Sequence, residues 1–302
     1  MKRTCLLALC LACGAAQAGD DPFSGLLNAL KKAGGQQAPA PAAAPASSST
    51  APAAPAEKPG DQLLKALLAG KTSDEDEVRI GQQIAGNLLG AAPLVKDEPL
   101  QRYVNRVGRW VALQSERPDL VWRFGVIESE DLNAFAAPGG YVFVTKGLYR
   151  KLRNEAELAG VLGHEIGHVV KKHHLKLLQK SQMSAALGSF FSQQVKDGPA
   201  VIQNLIGNGA EIVARGLDKD AEFESDRLGL VYAARAGYDA YGLPSVLAEI
   251  GHSAKSDPKV SLLFKTHPLP DERLNRLSEA VGDRLDKLPE GRANEGRFYH
   301  LR

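Results

Sequence analysis

The chain has 302 residues, 44% of them apolar, with 37 Lys and Arg against 35 Asp and Glu. A formal net charge of +2 gives no global field to gather nucleic acid or an anionic membrane surface. No apolar run reaches eighteen residues, which argues against a transmembrane helix.

Residues 1–18 read MKRTCLLALCLACGAAQA. Lys2 and Arg3 form a basic start, Cys5 to Cys13 a short apolar stretch, and Ala16-Gln17-Ala18 a small-residue cleavage site. Together they predict a secretory signal peptide and a periplasmic destination. Lipoprotein processing at Cys13 is the rival, and Cys10-Leu11-Ala12 suits it poorly. All 3 cysteines lie in this leader, so the remainder can hold neither a disulfide nor a zinc thiolate. Residues 19–60 are expected to be a disordered tether, because the Ala, Pro, Gln, Ser and Gly that dominate 34–60 cannot bury enough apolar area to offset ordering. The folded domain is expected over 61–302.

Within it, Leu63 to Leu68, Glu75 to Leu89 and Pro99 to Gln114 read as helices. The acidic run Asp74 to Glu77 reads as the charged start of the second. Val121 to Ile127 is aromatic and β-branched, as a strand should be. Leu132 to Ala137, then Pro138-Gly139-Gly140, then Tyr141 to Thr145 reads as strand, tight turn, strand. The Tyr141 to Val144 strand is the candidate to pair with an extended substrate.

Asn154 to Lys180 holds His164-Glu165-Ile166-Gly167-His168. Leu158, Val161, Leu162, Ile166 and Val169 recur at helical spacing, Asn154 suits an N-cap, and Glu155 and Glu157 suit a first turn. Residues four apart project together. His164 and His168 can therefore grip one metal, with Glu165 beside its open position. Random placement of this composition gives roughly 0.01 such motifs per chain. Gly160, Gly163 and Gly167 each cost this helix about 1 kcal/mol against Ala, which close approach by another element would explain. Lys171, Lys172, His173, His174, Lys176 and Lys180 read as a solvated basic helix end. Helices are also expected over 181–196 and 200–214.

A third ligand is sought downstream. The helix opening at Asp220 carries Glu222 and Asp226 on one face. Glu222 can supply a carboxylate to zinc, and Asp226 can hold the distal N–H of a ligand histidine. Glu224 points away, and Phe223, Leu230, Val231 and Ala234 form its apolar spacing. Further on, Lys265 to Pro270 sets His267 before two prolines, on a stiff loop. His267 is either an oxyanion donor or a fourth zinc ligand that keeps the site latent, with a purely structural role as the alternative.

HEIGH, EFESD, NAFAAPGGYVFVTKGL and THPLPDER together resemble the M48 zinc metallopeptidases over roughly 75–285. The resemblance implies an α+β, mainly helical zincin-like fold with a small sheet bordering the cleft. It also implies one Zn²⁺ per chain, held by His164, His168 and Glu222, and endopeptidase activity through Glu165. The family pattern singles out His267 and Arg273 as candidate oxyanion donors, Arg273 lying in the shell around the ligands. The likeness is to soluble periplasmic members, without their repeat domain. It implies unfolded or misassembled envelope proteins as substrates and outer-membrane assembly machinery as a partner, with no nucleic acid. Two other functions suit the same ligands: a zinc-stabilised chaperone, indifferent to Glu165, and a zinc amidase acting on cell-wall peptides.

Overall fold

The computed structural model describes residues 69–181, 217–252, 263 and 266–301. The leader, the tether, the helices expected at 63–68 and 200–214, nearly all of that at 181–196, and Lys265 lie outside the described residues. Among the described residues no helix is long and apolar enough to cross a membrane.

Helix α1 (Asp74–Ala91) begins where the Ser73 hydroxyl accepts from the Asp76 N–H at 3.1 Å. The acidic run is the charged start of this helix, as expected, but not all of it meets solvent. Glu77 is 0% exposed and accepts from Arg117 at 2.7 Å and from the Gly139 N–H at 3.1 Å. It also pairs with Lys172 at 3.0 Å. Glu77 thus ties α1 to the glycine turn and to the end of the motif helix. Helix α2 (Glu98–Ala112) starts at an Asp97 cap and buries Leu100, Val104, Val107 and Val111.

Strands β1 (Arg123–Ile127), β2 (Ala134–Ala137) and β3 (Tyr141–Thr145) form one sheet in the order β1-β3-β2. The β2–β3 hairpin is antiparallel and turns at Gly139 and Gly140, with φ of 76° and 92°, where a side chain would be strained. β1 runs parallel to β3. The strand expected to meet substrate, β3, is therefore the central one, paired on both sides. The outer edge of β1 is closed by α2: Gln101 accepts from the Val126 N–H and donates to its carbonyl, both at 2.9 Å. Asn105 does the same for Phe124. Among the described residues that leaves β2 as the unpaired edge. Alternation splits the sheet between two cores: Phe124, Val126, Val142 and Val144 face one side, Ile127, Phe135, Tyr141 and Phe143 the other.

Helix α3 (Lys146–Lys151) leads to α4 (Glu155–Val170), the motif helix, capped as expected by Asn154, which accepts from the Glu157 N–H at 2.9 Å. α4 stops ten residues short of Lys180. Lys172 is left-handed (φ 55°), and the chain reverses there into a second helical run from 173. Helix α5 (Lys219–Arg235) follows an Asp218 cap, then α6 (Gly242–Gly251) and α7 (Pro270–Val281). α5 lies directly on α4. A Cβ on Gly163 would stand 2.7 Å from the Gly229 carbonyl, and one on Gly229 would stand 2.6 Å from the His164 nitrogen. The glycines of the motif helix are the close approach that their cost called for.

Candidate active site

The contact between α4 and α5 sets His164, Glu165 and His168 against Glu222 and Asp226. All five are buried. His164 Nε2 and His168 Nε2 stand 3.0 Å apart. Glu222 reaches them with Oε2 at 3.6 Å from His164 and Oε1 at 3.5 Å from His168. His267 directs its Nε2 to within 3.7 Å of Glu222 Oε2. One ligand atom from each of His164, His168, Glu222 and His267 falls within a 4.8 Å group.

The far side of each histidine sets its tautomer. His164 Nδ1 lies 2.9 Å from Asp226 Oδ1, as the spacing of Glu222 and Asp226 predicts. Arg273 holds that carboxylate in two places, Nε to Oδ2 at 2.9 Å and Nη2 to Oδ1 at 2.6 Å. Two of its nitrogens, Nε and Nη2, are thereby committed to bracing Asp226. The same contacts hold the Asp226 carboxyl well below the usual carboxylate range, despite burial. His168 Nδ1 lies 3.1 Å from Ser225 Oγ and 3.0 Å from His173 Nδ1. His173 Nε2 in turn lies 3.2 Å from Glu224, which pairs with Lys171 at 3.0 Å.

His173 and His174 were not legible as part of the site. The left-handed turn at Lys172 folds His173 and His174 back onto α4, so both are buried. Lys171 and Lys172, read as solvated, are held by Glu224 and by Asp74 with Glu77. Glu224 does point away from the histidine pair, toward His173.

The residues fit a zinc ion. With both Nδ1 atoms turned to partners that hold a proton there, the two Nε2 lone pairs face each other. Glu222 Oε2 is buried with no hydrogen-bond partner, an arrangement that costs about 1–3 kcal/mol unless a cation meets it. Ligands on a tetrahedral zinc stand roughly 3.3–3.4 Å apart, close to the spacings here. Two imidazoles and one carboxylate are also a donor set of catalytic zinc sites. Burial pushes the Glu222 carboxyl well up and the His164 and His168 imidazoles down, so both rings are neutral, as ligands must be. Burial also raises Glu165 to about 8, against the pull of Arg273.

The site is closed. Between β2, Glu165, His174 and His267 there is a cavity of only about 20 Å³, room for about one water. His267 sits at the end of a helical turn rather than within a free loop. Its N–H donates to the Leu263 carbonyl at 2.8 Å, and its Nδ1 meets Thr266 Oγ1 at 2.8 Å.

The profile of peptidase family M48 matches residues 98–281, which covers both ligand helices and Arg273. The chain belongs to peptidase family M48. Its curated relatives include the β-barrel assembly-enhancing protease of Escherichia coli K12, 31% identical over 216 residues, covering 68% of this chain and 44% of the relative. The protein of the same name from Yersinia pestis is 30% identical over 216 residues with the same coverage. Arabidopsis thaliana mitochondrial metalloendopeptidase OMA1 is 28% identical over 191 residues, 62% of this chain and 37% of that one. The chain thus spans less than half the length of these M48 relatives. The mainly helical fold with its small three-stranded sheet agrees with the M48 resemblance.

Proposed function

We propose that this M48 chain is a zinc-dependent endopeptidase, exported to the periplasm, that cuts misfolded or misassembled envelope proteins. The leader at 1–18 supports export, and the name of the Escherichia coli relative, a β-barrel assembly-enhancing protease, supports envelope substrates and an outer-membrane assembly partner. The observation that carries the chemistry is the buried, unpartnered Glu222 oxygen facing two lone pairs, with Glu165 buried beside them.

In this reading His164, His168 and Glu222 hold one zinc. Zinc bound there supplies Lewis acidity toward a water and the scissile carbonyl. Glu165 takes the proton of the attacking water and returns it to the leaving amine, a task suited to a carboxyl raised toward neutrality. Asp226 and Arg273 keep the His164 Nε2 lone pair aimed inward. A substrate strand would add to the free edge of β2, whose Ala134 to Ala136 line the cavity with Glu165. His267 is the latch in this reading: its Nε2, 3.7 Å from Glu222 Oε2, is the fourth member of the ligand group.

Casein cleavage by the purified protein, with and without chelator, tests the reading. Glu165→Gln should keep zinc and fold and lose ~10²–10⁴-fold in rate. Full cleavage by Glu165→Gln would refute the assigned base, and casein binding without cleavage by the unaltered protein would favour a chaperone. His267→Ala should raise basal proteolysis. A fall of ~10²–10³-fold with zinc retained would instead make His267 a transition-state donor.

A further inference from the structure

A groove of about 1070 Å³ opens between α2, the C-terminal half of α5 and residues 288–297. It is separate from the metal cluster: Glu155 at its floor lies nine residues before His164, about 14 Å along α4. Its wall includes Leu230, Val231 and Ala234, three of the apolar residues at helical spacing on α5. Val231 and Ala234 are only half-buried, because no element of the described residues covers them. Trp110 stands beside them 51% exposed, its ring held in place by an indole N–H donated to the Ala236 carbonyl at 2.8 Å.

The rim is basic. Arg106, Arg235, Arg292 and Arg297 line this groove, and an adjoining one shares Arg106 and Arg297 and adds Arg102 and Arg109. Against these six arginines the two linings contain two acids, Glu155 and Glu290. Glu155 is fully buried, accepts from the Tyr103 and Tyr238 hydroxyls at 3.1 and 2.8 Å and pairs with Arg297 at 3.5 Å, while Arg102 pairs with Glu98 beside the groove. The side chains of Arg106 and Arg292 are exposed and have no acidic partner among the described residues.

We infer that this groove docks an extended polypeptide segment in which carboxylates flank a large apolar side chain. Each part of that occupant answers a feature of the wall. Guanidinium forks match carboxylates in a bidentate manner. A fixed, half-exposed indole beside bare aliphatic surface matches an aromatic or branched side chain. A phosphate backbone would use the rim alone and leave the apolar wall wet. The inference depends on the protease reading only in treating the docked segment as substrate held away from the point of cleavage.

The test uses the Glu165→Gln protein, so that nothing is cut, and a fluorescein-labelled peptide with Asp and Glu on both sides of a Phe-Leu pair. Anisotropy should show binding at low salt. Replacing the acids by Asn and Gln, or Phe-Leu by Ser-Ser, should each weaken it at least tenfold, about 1.4 kcal/mol. Arg106→Glu combined with Arg292→Glu should weaken it equally, at an unchanged melting temperature. Binding should shield Trp110 from iodide quenching, a clean signal because the chain has two tryptophans and Trp122 is buried. Equal affinity for the amide peptide, or for the double variant, would overturn the inference. So would inorganic polyphosphate binding more tightly than the peptide and being lost in the same variant, which would make the groove a polyanion site. Peptide binding by Glu165→Gln, alongside an unaltered zinc-loaded protein that cuts no casein, would sink the protease reading and leave the docking site standing.

Discussion

The two motif histidines are four residues apart on one helix, yet they are held by unlike means. Behind His164 stand Asp226 and Arg273, two opposite charges buried together and bonded twice. Behind His168 stand Ser225 and His173, both without formal charge, and the chain of contacts runs outward to Glu224, whose side chain is 33% exposed, and to Lys171. A closed ion pair in a dry interior holds one geometry and is costly to break from either side. A line of polar groups that ends in solvent is weaker and can be tuned from the surface. One ligand therefore has a rigid brace and the other an adjustable one.

Breaking the rigid brace should have the largest effect. Arg273→Ala leaves the Asp226 carboxylate buried and unpaired, which costs about 3–5 kcal/mol. Thermal unfolding should fall well below the unaltered protein, with zinc lost on dialysis. A stable, zinc-loaded Arg273→Ala protein would erase the contrast. Next comes Gly163→Ala. Its Cβ would meet the Gly229 carbonyl at 2.7 Å, and spreading two backbones costs about 1–3 kcal/mol. Zinc affinity should drop with stability, since both braces cross that contact. His173→Ala should leave the fold near its normal melting temperature and weaken zinc ~10–100-fold in chelator competition. His173→Gln, which keeps a polar atom near His168, should recover part of that loss. Unchanged affinity in His173→Ala would show that Ser225 alone orients His168. Smallest is Lys171→Ala. An ion pair this exposed contributes at most about 0.5–1 kcal/mol, so only a slight change in zinc affinity is expected.

The Asp226 half of the rigid brace was legible in the sequence, whereas its pairing with Arg273 and the whole adjustable brace were not. Glu222 and Asp226 share a helix face by simple period, and His164 and His168 do the same, so local spacing carried most of the metal group. His173 joins the site only because Lys172 takes a left-handed conformation, and a lysine carries no mark of that. The Glu77 contacts to Arg117, Gly139 and Lys172 that surround the turn are likewise long-range. The sheet shows the same division. The Pro138-Gly139-Gly140 turn announced a hairpin, but the parallel pairing of β1 with β3 is a matter of topology. That pairing moved the free edge from β3 to β2. On α5, the apolar spacing was real, yet Val231 and Ala234 line a groove while Ser225, Gly229 and Tyr232 face α4 and the interior.

The contact between Gly163 and Gly229 has a mechanical consequence. Two helices meeting backbone to backbone have no side-chain layer to compress, so they cannot part by small rotamer changes. The three residues assigned to the metal lie on those helices, whereas His267 comes from a separate segment leading into α7. A substrate that forces its way in beside β2 therefore displaces the door and not the frame. On the proposed assignment, admission displaces His267 alone, and the three ligands on the frame would keep their hold on the zinc. Zinc content after dialysis, measured with and without a bound uncleaved client, should be the same. Zinc lost on client binding would show that the frame itself opens.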